Sequence, residues 1–146
     1  LRNLNNYVTF ENCKINGLIT DTLGLDSVLL INNCDFQNNK IDLFGDSTLK
    51  MSNISIINSI NIGKTKILNA KNILIDSSKF TFQNIYNWDN VDNIYFFNNE
   101  NVNIKRCNIN ITNGYFTTAI NMQKSKNIKI EKMKFHQFHT DSKLIL

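Results

Sequence analysis

Three groups of side chains in this 146-residue chain are of types that carry out chemistry. Asp76, Lys105, Arg106 and Glu131 combine two carboxylates with two cations. Those are the ingredients of acid–base work on a glycosidic bond or of proton abstraction from an acidic sugar. The stretch Tyr86, Asn87, Trp88, Asp89, Asn90, Asp92, Asn93, Tyr95 places the one tryptophan among carboxylates and amides. An aromatic ring packs on the apolar face of a sugar while flanking polar groups bond its hydroxyls. Trp88, Tyr86, Asp89, Asp92 and Tyr95 therefore read as carbohydrate contacts, with Trp88 folded back over the protein wall as the ordinary alternative. The same stretch lacks the loop glycine and closing glutamate of a calcium site. His136, His139 and Asp141 have the ligand chemistry for zinc. On an extended segment, however, residues three apart face opposite sides, so no metal site is expected there. No cofactor is expected either.

Cys13, Cys34 and Cys107 show no CxxC spacing and no metal-ligand pattern. Their odd number excludes complete pairing within the chain. Packing as small hydrophobes is the first reading, with a disulfide or a reactive thiol as the alternative.

The elements that must position these groups follow from composition and periodicity. With 42% hydrophobic and 19% charged residues, five glycines and no proline, the chain suits a single domain with a real core. The net charge of +4 is too mild to argue for nucleic acid as a partner. Lys124, Lys126, Lys129, Lys132 and Lys134 read as a solvated face. The longest apolar runs, Val28 to Ile31 and Ile94 to Phe97, are far too short for a membrane-spanning helix. No secretion leader is visible, and a start at Leu1 without Met suggests one segment, 1–146, of a longer protein.

A repeat organises the chain. A phrase of two alternating apolar residues, a polar break, a small or apolar residue and a further apolar residue recurs six times. Its copies are Val8, Phe10, Cys13, Ile15; Leu29, Ile31, Cys34, Phe36; Leu49, Met51, Ile54, Ile56; Ile73, Ile75, Ser78, Phe80; Val102, Ile104, Cys107, Ile109; and Ile128, Ile130, Met133, Phe135. Only Ser78 among these 24 positions is not hydrophobic, where composition alone would give about 10. Period-2 alternation means a strand with one buried face, and the polar break means a corner. Start-to-start spacings of 21, 20, 24, 29 and 26 residues fit a solenoid of short strands. Asparagine supports this reading. Of 27 in the chain, Asn72, Asn101 and Asn127 each precede a strand's first inward residue, and Asn12, Asn33 and Asn53 each precede a corner. Asparagine tolerates left-handed backbone there and can ladder along a stack.

From Val8 to Phe135 the phrase resembles the repeats of the right-handed parallel β-helix, the pectin lyase-like superfamily. The resemblance implies an all-β, single-stranded parallel solenoid of about six coils, roughly 29 Å long at the strand spacing, with uncapped ends that adjacent coils or domains of the parent chain continue. Asp76, Lys105 and Glu131 would then stack on three successive coils, with Arg106 at the corner. The two carboxylates would lie about 9.6 Å apart, at the edge of the inverting-glycosidase range of about 6.5–9.5 Å, but with Lys105 between them the first reading is an ordinary surface ladder of cross-strand ion pairs. The paired-aspartate and Gly-His-Gly signatures of the superfamily's polygalacturonases are absent, as is the calcium-binding aspartate cluster of its pectate lyases. The expectation is a non-catalytic extracellular or cell-surface β-helix acting as rigid scaffold or as a recognition surface for a polysaccharide, other glycan or protein. The glycosylation-type triplets Asn53-Ile54-Ser55 and Asn110-Ile111-Thr112 lean the same way. The alternatives are a polysaccharide lyase or glycoside hydrolase of the same fold, and a phage or virus fibre or tailspike segment.

Overall fold

The computed structural model describes residues 7–21, 28–46, 50, 52–83, 91–112 and 117–137. They form strands, turns and isolated bridges. In chain order the strands are β1 (Tyr7–Glu11), β2 (Ile19–Asp21), β3 (Val28–Asn32), β4 (Ile41–Phe44), β5 (Ile54–Ile57), β6 (Thr65–Leu68) and β7 (Lys71–Asp76). They continue with β8 (Lys79–Gln83), β9 (Val91–Phe97), β10 (Glu100–Lys105), β11 (Asn108–Thr112), β12 (Thr117–Gln123), β13 (Lys126–Glu131) and β14 (Lys134–Gln137). Every ladder is parallel. The first sheet runs β1-β3-β5-β7-β10-β13, the second β8-β11-β14 and the third β2-β4-β6-β9-β12. The chain visits the three walls in rotation, which makes a β-solenoid.

Alternation decides which side chains fill the interior. One column of the first wall is Val8, Leu29, Ile54, Ile73, Val102, Ile128, and the next is Phe10, Ile31, Ile56, Ile75, Ile104, Ile130. The third wall contributes Ile19, Ile41, Thr65, Ile94 and Ile120 in one column. Apart from the exposed Ile128 and the polar Thr65, these residues and the second wall's Phe80, Phe82, Ile109 and Ile111 form one contiguous core. Like stacks on like, so each rung's shape matches its neighbour's and packing density holds along the axis.

Two expectations need correcting. The enclosed turns number about four rather than six. The phrase marks first-wall strands, and only β3, β5, β7 and β10 have neighbours on both sides; their inward residues are buried. Among the described residues the end strands β1 and β13 each have a neighbour on one side alone, and Ile128 is 42% exposed. The third copy of the phrase is also displaced. Ile54 and Ile56, not Leu49 and Met51, stand in the two columns, while Leu49 and Met51 lie outside the described residues. The outer columns shift with them. Ile57 lies between Asn32 and Asp76, and Ser55 between Leu30 and Leu74.

The reason lies at the corners. The corner column is Cys13, Cys34, Ser59, Ser78, Cys107, Met133, with Ser59 where Ile54 was expected. Its members are chosen for hydrogen bonding as much as for size. Cys34 Sγ donates to the Asn32 carbonyl, Ser59 Oγ to Ile57, Ser78 Oγ to Asp76 and Cys107 Sγ to Lys105, each two residues back. The Cys34 and Ser59 N–H groups in turn donate to Ser59 Oγ and Ser78 Oγ on the next rung. A purely apolar template cannot see a serine in this role.

Each corner also needs a left-handed residue. Of the 16 non-glycine residues with positive φ among the described residues, 11 are asparagine. Asn53, Asn72, Asn101 and Asn127 form one side-chain ladder, with amide-to-carbonyl bonds of 3.1, 2.9 and 2.9 Å. Asn53 therefore belongs before a strand rather than before a corner, and Asn58, with φ 51°, takes the pre-corner place. Inside the wall Asn99 is fully buried yet satisfied. Its Oδ1 accepts from the Ala70 N–H and its Nδ2 donates to the Ile67 carbonyl.

Candidate functional site

The outward positions of the third wall collect aromatic and cationic side chains. Along one outward row stand Asp42 on β4, Lys66 on β6, Tyr95 on β9 and Asn121 on β12, all in register. The neighbouring row is Phe44, Leu68, Phe97 and Gln123. Alternation puts their partners Leu43, Ile67 and Phe96 in the core, so these side chains must point out. Tyr95 and Phe97 stack with ring centroids 6.4 Å apart. Lys66 Nζ lies 5.3 Å from the centre of the Phe44 ring, and Lys124 Nζ lies 5.1 Å from that of Phe97. Phe44, Tyr95 and Phe97 are half-buried, which leaves part of each ring open to solvent.

Beside this strip a depression of about 350 Å³ is lined by Lys40, Lys64, Lys66, Asp42, Asp92 and Tyr95. Burial, and then the like charge of Lys40, pull the Lys64 ammonium below its ordinary pKa. Asp92 is held in place by Asn121, whose Nδ2 donates to Oδ2 at 2.9 Å. Beneath it Asn93 is fully buried. Its Nδ2 donates to the Thr118 carbonyl, while its Oδ1 has no protein partner. Three lysines, an anchored carboxylate and half-buried aromatic rings can hold a flat, hydroxyl-rich ligand that carries negative charge.

Of the residues expected to contact carbohydrate, Asp92 and Tyr95 meet on this face. Tyr86, Trp88 and Asp89 lie outside the described residues. Lys40, Lys64, Lys66, Phe44 and Phe97 were not anticipated. They come from β4, β6, β9 and the segments that lead into β4 and β6, and the signal that could have found Phe44, Lys66 and Phe97 is the outward half of the third-wall alternation.

The first wall places Asp76, Lys105 and Glu131 side by side on β7, β10 and β13. Arg106, at the following corner with φ 55°, reaches back one rung to Asp76. Its Nε donates to Oδ1 at 2.8 Å and its Nη2 donates to Oδ2, a bidentate fork. Lys105 Nζ lies 3.5 Å from Oδ2, and Ser77 Oγ donates to Oδ1. The Arg106 bonds, with help from Ser77 and from the charges of Arg106 and Lys105, lower the Asp76 pKa to about 2 against the opposing pull of burial. Glu131 pairs with Lys129 at 3.1 Å. A second ion-pair cluster joins Glu100 to Lys50 at 2.8 Å and Lys126 at 3.2 Å, and those bonds bring the Glu100 pKa to about 2. Alternating charges on stacked strands serve here as cross-strand braces.

His136 stands exposed on the second wall, in register with Asn110. His139 and Asp141 lie outside the described residues. Among the described residues no group of three or more His, Cys, Asp or Glu is arranged to hold a metal ion. No protein-family model, no curated protein and no solved structure matches this chain.

Proposed function

We propose that this chain is a non-catalytic solenoid whose third wall recognises an acidic carbohydrate. The observation that carries the reading is the half-buried Tyr95–Phe97 strip set beside the depression that Lys40, Lys64 and Lys66 line. Sugar rings lie on aromatic faces, and carboxylate or sulfate groups neutralise ammonium heads that now crowd one another. The rigid stack favours such use, because side chains on successive rungs keep a fixed spacing of about 4.8 Å and cost little entropy to order. The non-catalytic part is supported by the carboxylates of the first wall. Asp76 stays ionised in its Arg106 fork and is poorly placed to give up a proton as a general acid.

We further propose the hand and kind of the solenoid. The winding is right-handed, as strand–crossover–strand connections nearly always are, and the repeat is of the pectin lyase-like kind. The exposed inward residues Ile128 and Phe135 suit an uncapped end that further coils of a parent protein continue. The setting is extracellular or at a cell surface.

Isothermal titration with polygalacturonate tests the reading. Binding is expected, weakening as salt rises, and falling about tenfold, about 1.4 kcal/mol, in Tyr95→Ala and in Lys64→Ala. Binding that neither substitution changes, or no binding to any acidic glycan of an array, would overturn the recognition reading. Turnover of the polymer would overturn its non-catalytic part.

A further inference from the structure

Two rungs at one end of the solenoid bring a pair of thiols together. Glu11 pairs with Asn32, and Lys14 pairs with Asp35, both at an offset of 21 residues. Cys13 and Cys34 share that offset and so stack directly. The backbone is pinned around them by bonds from the Asn12 N–H to the Asn32 carbonyl at 3.1 Å and from the Asp35 N–H to the Cys13 carbonyl at 2.9 Å. Strand spacing of about 4.8 Å falls within the Cα separations of about 4.4–6.8 Å that disulfides span. The two sulfurs already lie 3.1 Å apart.

We propose that Cys13 and Cys34 are a disulfide-forming pair that covalently joins the first rung to the second. Both line an open depression of about 260 Å³, where Cys13 is half-buried and Cys34 lies beneath it. A small disulfide such as oxidised glutathione is the oxidant. The Cys13 thiolate attacks it, the reagent's S–S bond breaks and one small thiolate leaves, taking up a proton. Cys34 then gives its proton to solvent and attacks the Cys13 sulfur, releasing the second small thiol. Two protein thiols are oxidised to one disulfide, and one small disulfide is reduced to two thiols.

The column supplies its own control. Ser59 and Ser78 separate Cys34 from Cys107 along the stack, so Cys107 has no thiol neighbour and remains reduced. The hydrogen bond with Cys34, then burial, raise the Cys13 pKa to about 11. Thiolate is therefore scarce at neutral pH, and the reaction speeds up about tenfold per pH unit below that value.

The test is to treat the folded, intact chain with oxidised glutathione at about pH 8.5, then count free thiols and map peptides by mass spectrometry. The expected result is a fall from three thiols to one, an intramolecular Cys13–Cys34 link, and an unfolding midpoint raised until dithiothreitol reverses it. Cys34→Ser is expected to stop at a mixed disulfide between Cys13 and glutathione. Three thiols remaining on the folded chain, a link to Cys107, or a link between chains would each overturn the proposal.

Discussion

Replacing Asp76 by Asn removes one charge and almost no volume, so it isolates what the Arg106 fork contributes. The side-chain oxygen that accepts from Ser77 is kept. The folded-state pKa of Asp76 is about 2 against 3.8 when unperturbed. Taken whole, that difference is about 2.5 kcal/mol of stability at neutral pH. Asp76 is only 9% exposed, but the Arg106 side chain is 55% exposed, and water around it screens the pair. The expected loss in Asp76→Asn is therefore about 1 kcal/mol. The sign follows from the depressed pKa. The contribution is complete above pH 3.8 and disappears as pH falls through that value toward 2, because the folded state is the one that resists protonation. Urea unfolding followed by circular dichroism, at pH 7 and below the folded-state pKa at about pH 1.5, measures both. The variant should trail the natural chain at pH 7 and nearly match it in acid. Arg106→Gln should cost a similar amount alone and little on top of Asp76→Asn; glutamine keeps a side chain at the left-handed φ of 55° and so adds no new backbone change. A gap between the two proteins that is the same at both pH values would refute the reasoning.

Substitutions at two further positions probe the backbone. A Cβ at Gly63 would lie 2.3 Å from the Asn38 carbonyl oxygen and 2.7 Å from that of Asn39, while the Gly63 N–H donates to the latter. Gly63→Ala should thus cost about 1–3 kcal/mol in urea unfolding, and an unchanged midpoint would show that the two rungs do not approach so closely in solution. Asn101 sits at φ 54° and links Asn72 to Asn127. Asn101→Ala should lose about 1–2 kcal/mol and Asn101→Gly distinctly less, since glycine relieves the backbone and forfeits only the exposed amide bonds; equal losses would mean that the ladder, not the φ angle, carries the stability.

Much of the first wall could be read from the chain because alternation is local. Val8/Phe10, Leu29/Ile31, Ile73/Ile75, Val102/Ile104 and Ile128/Ile130 announce themselves within three residues, and the stack pairs them as expected. The third rung was misframed because Ser59 and Asn61 are polar at places where an apolar template wanted Ile54 and Ile56. Serine at that corner satisfies backbone groups on two rungs, a requirement that exists only once the rungs are stacked. The same blindness hid the aromatic and cationic strip of the third wall. Nothing in the sequence brings Lys40, Lys66 and Tyr95 near one another until β4, β6 and β9 align.

The amino-acid order alone determined that the chain is all strand and corner, which residues face inward on most rungs, and where left-handed turns fall. Those properties depend on side-chain period and on single-residue backbone preference, both of which act over a few positions. Tertiary structure decided the register between turns, the number of enclosed turns, the thiol pair and the cationic aromatic face. Each of these joins residues 18 or more apart in sequence, and only the stacking of complete turns, driven by burial of the shared core, selects one such alignment over its neighbours.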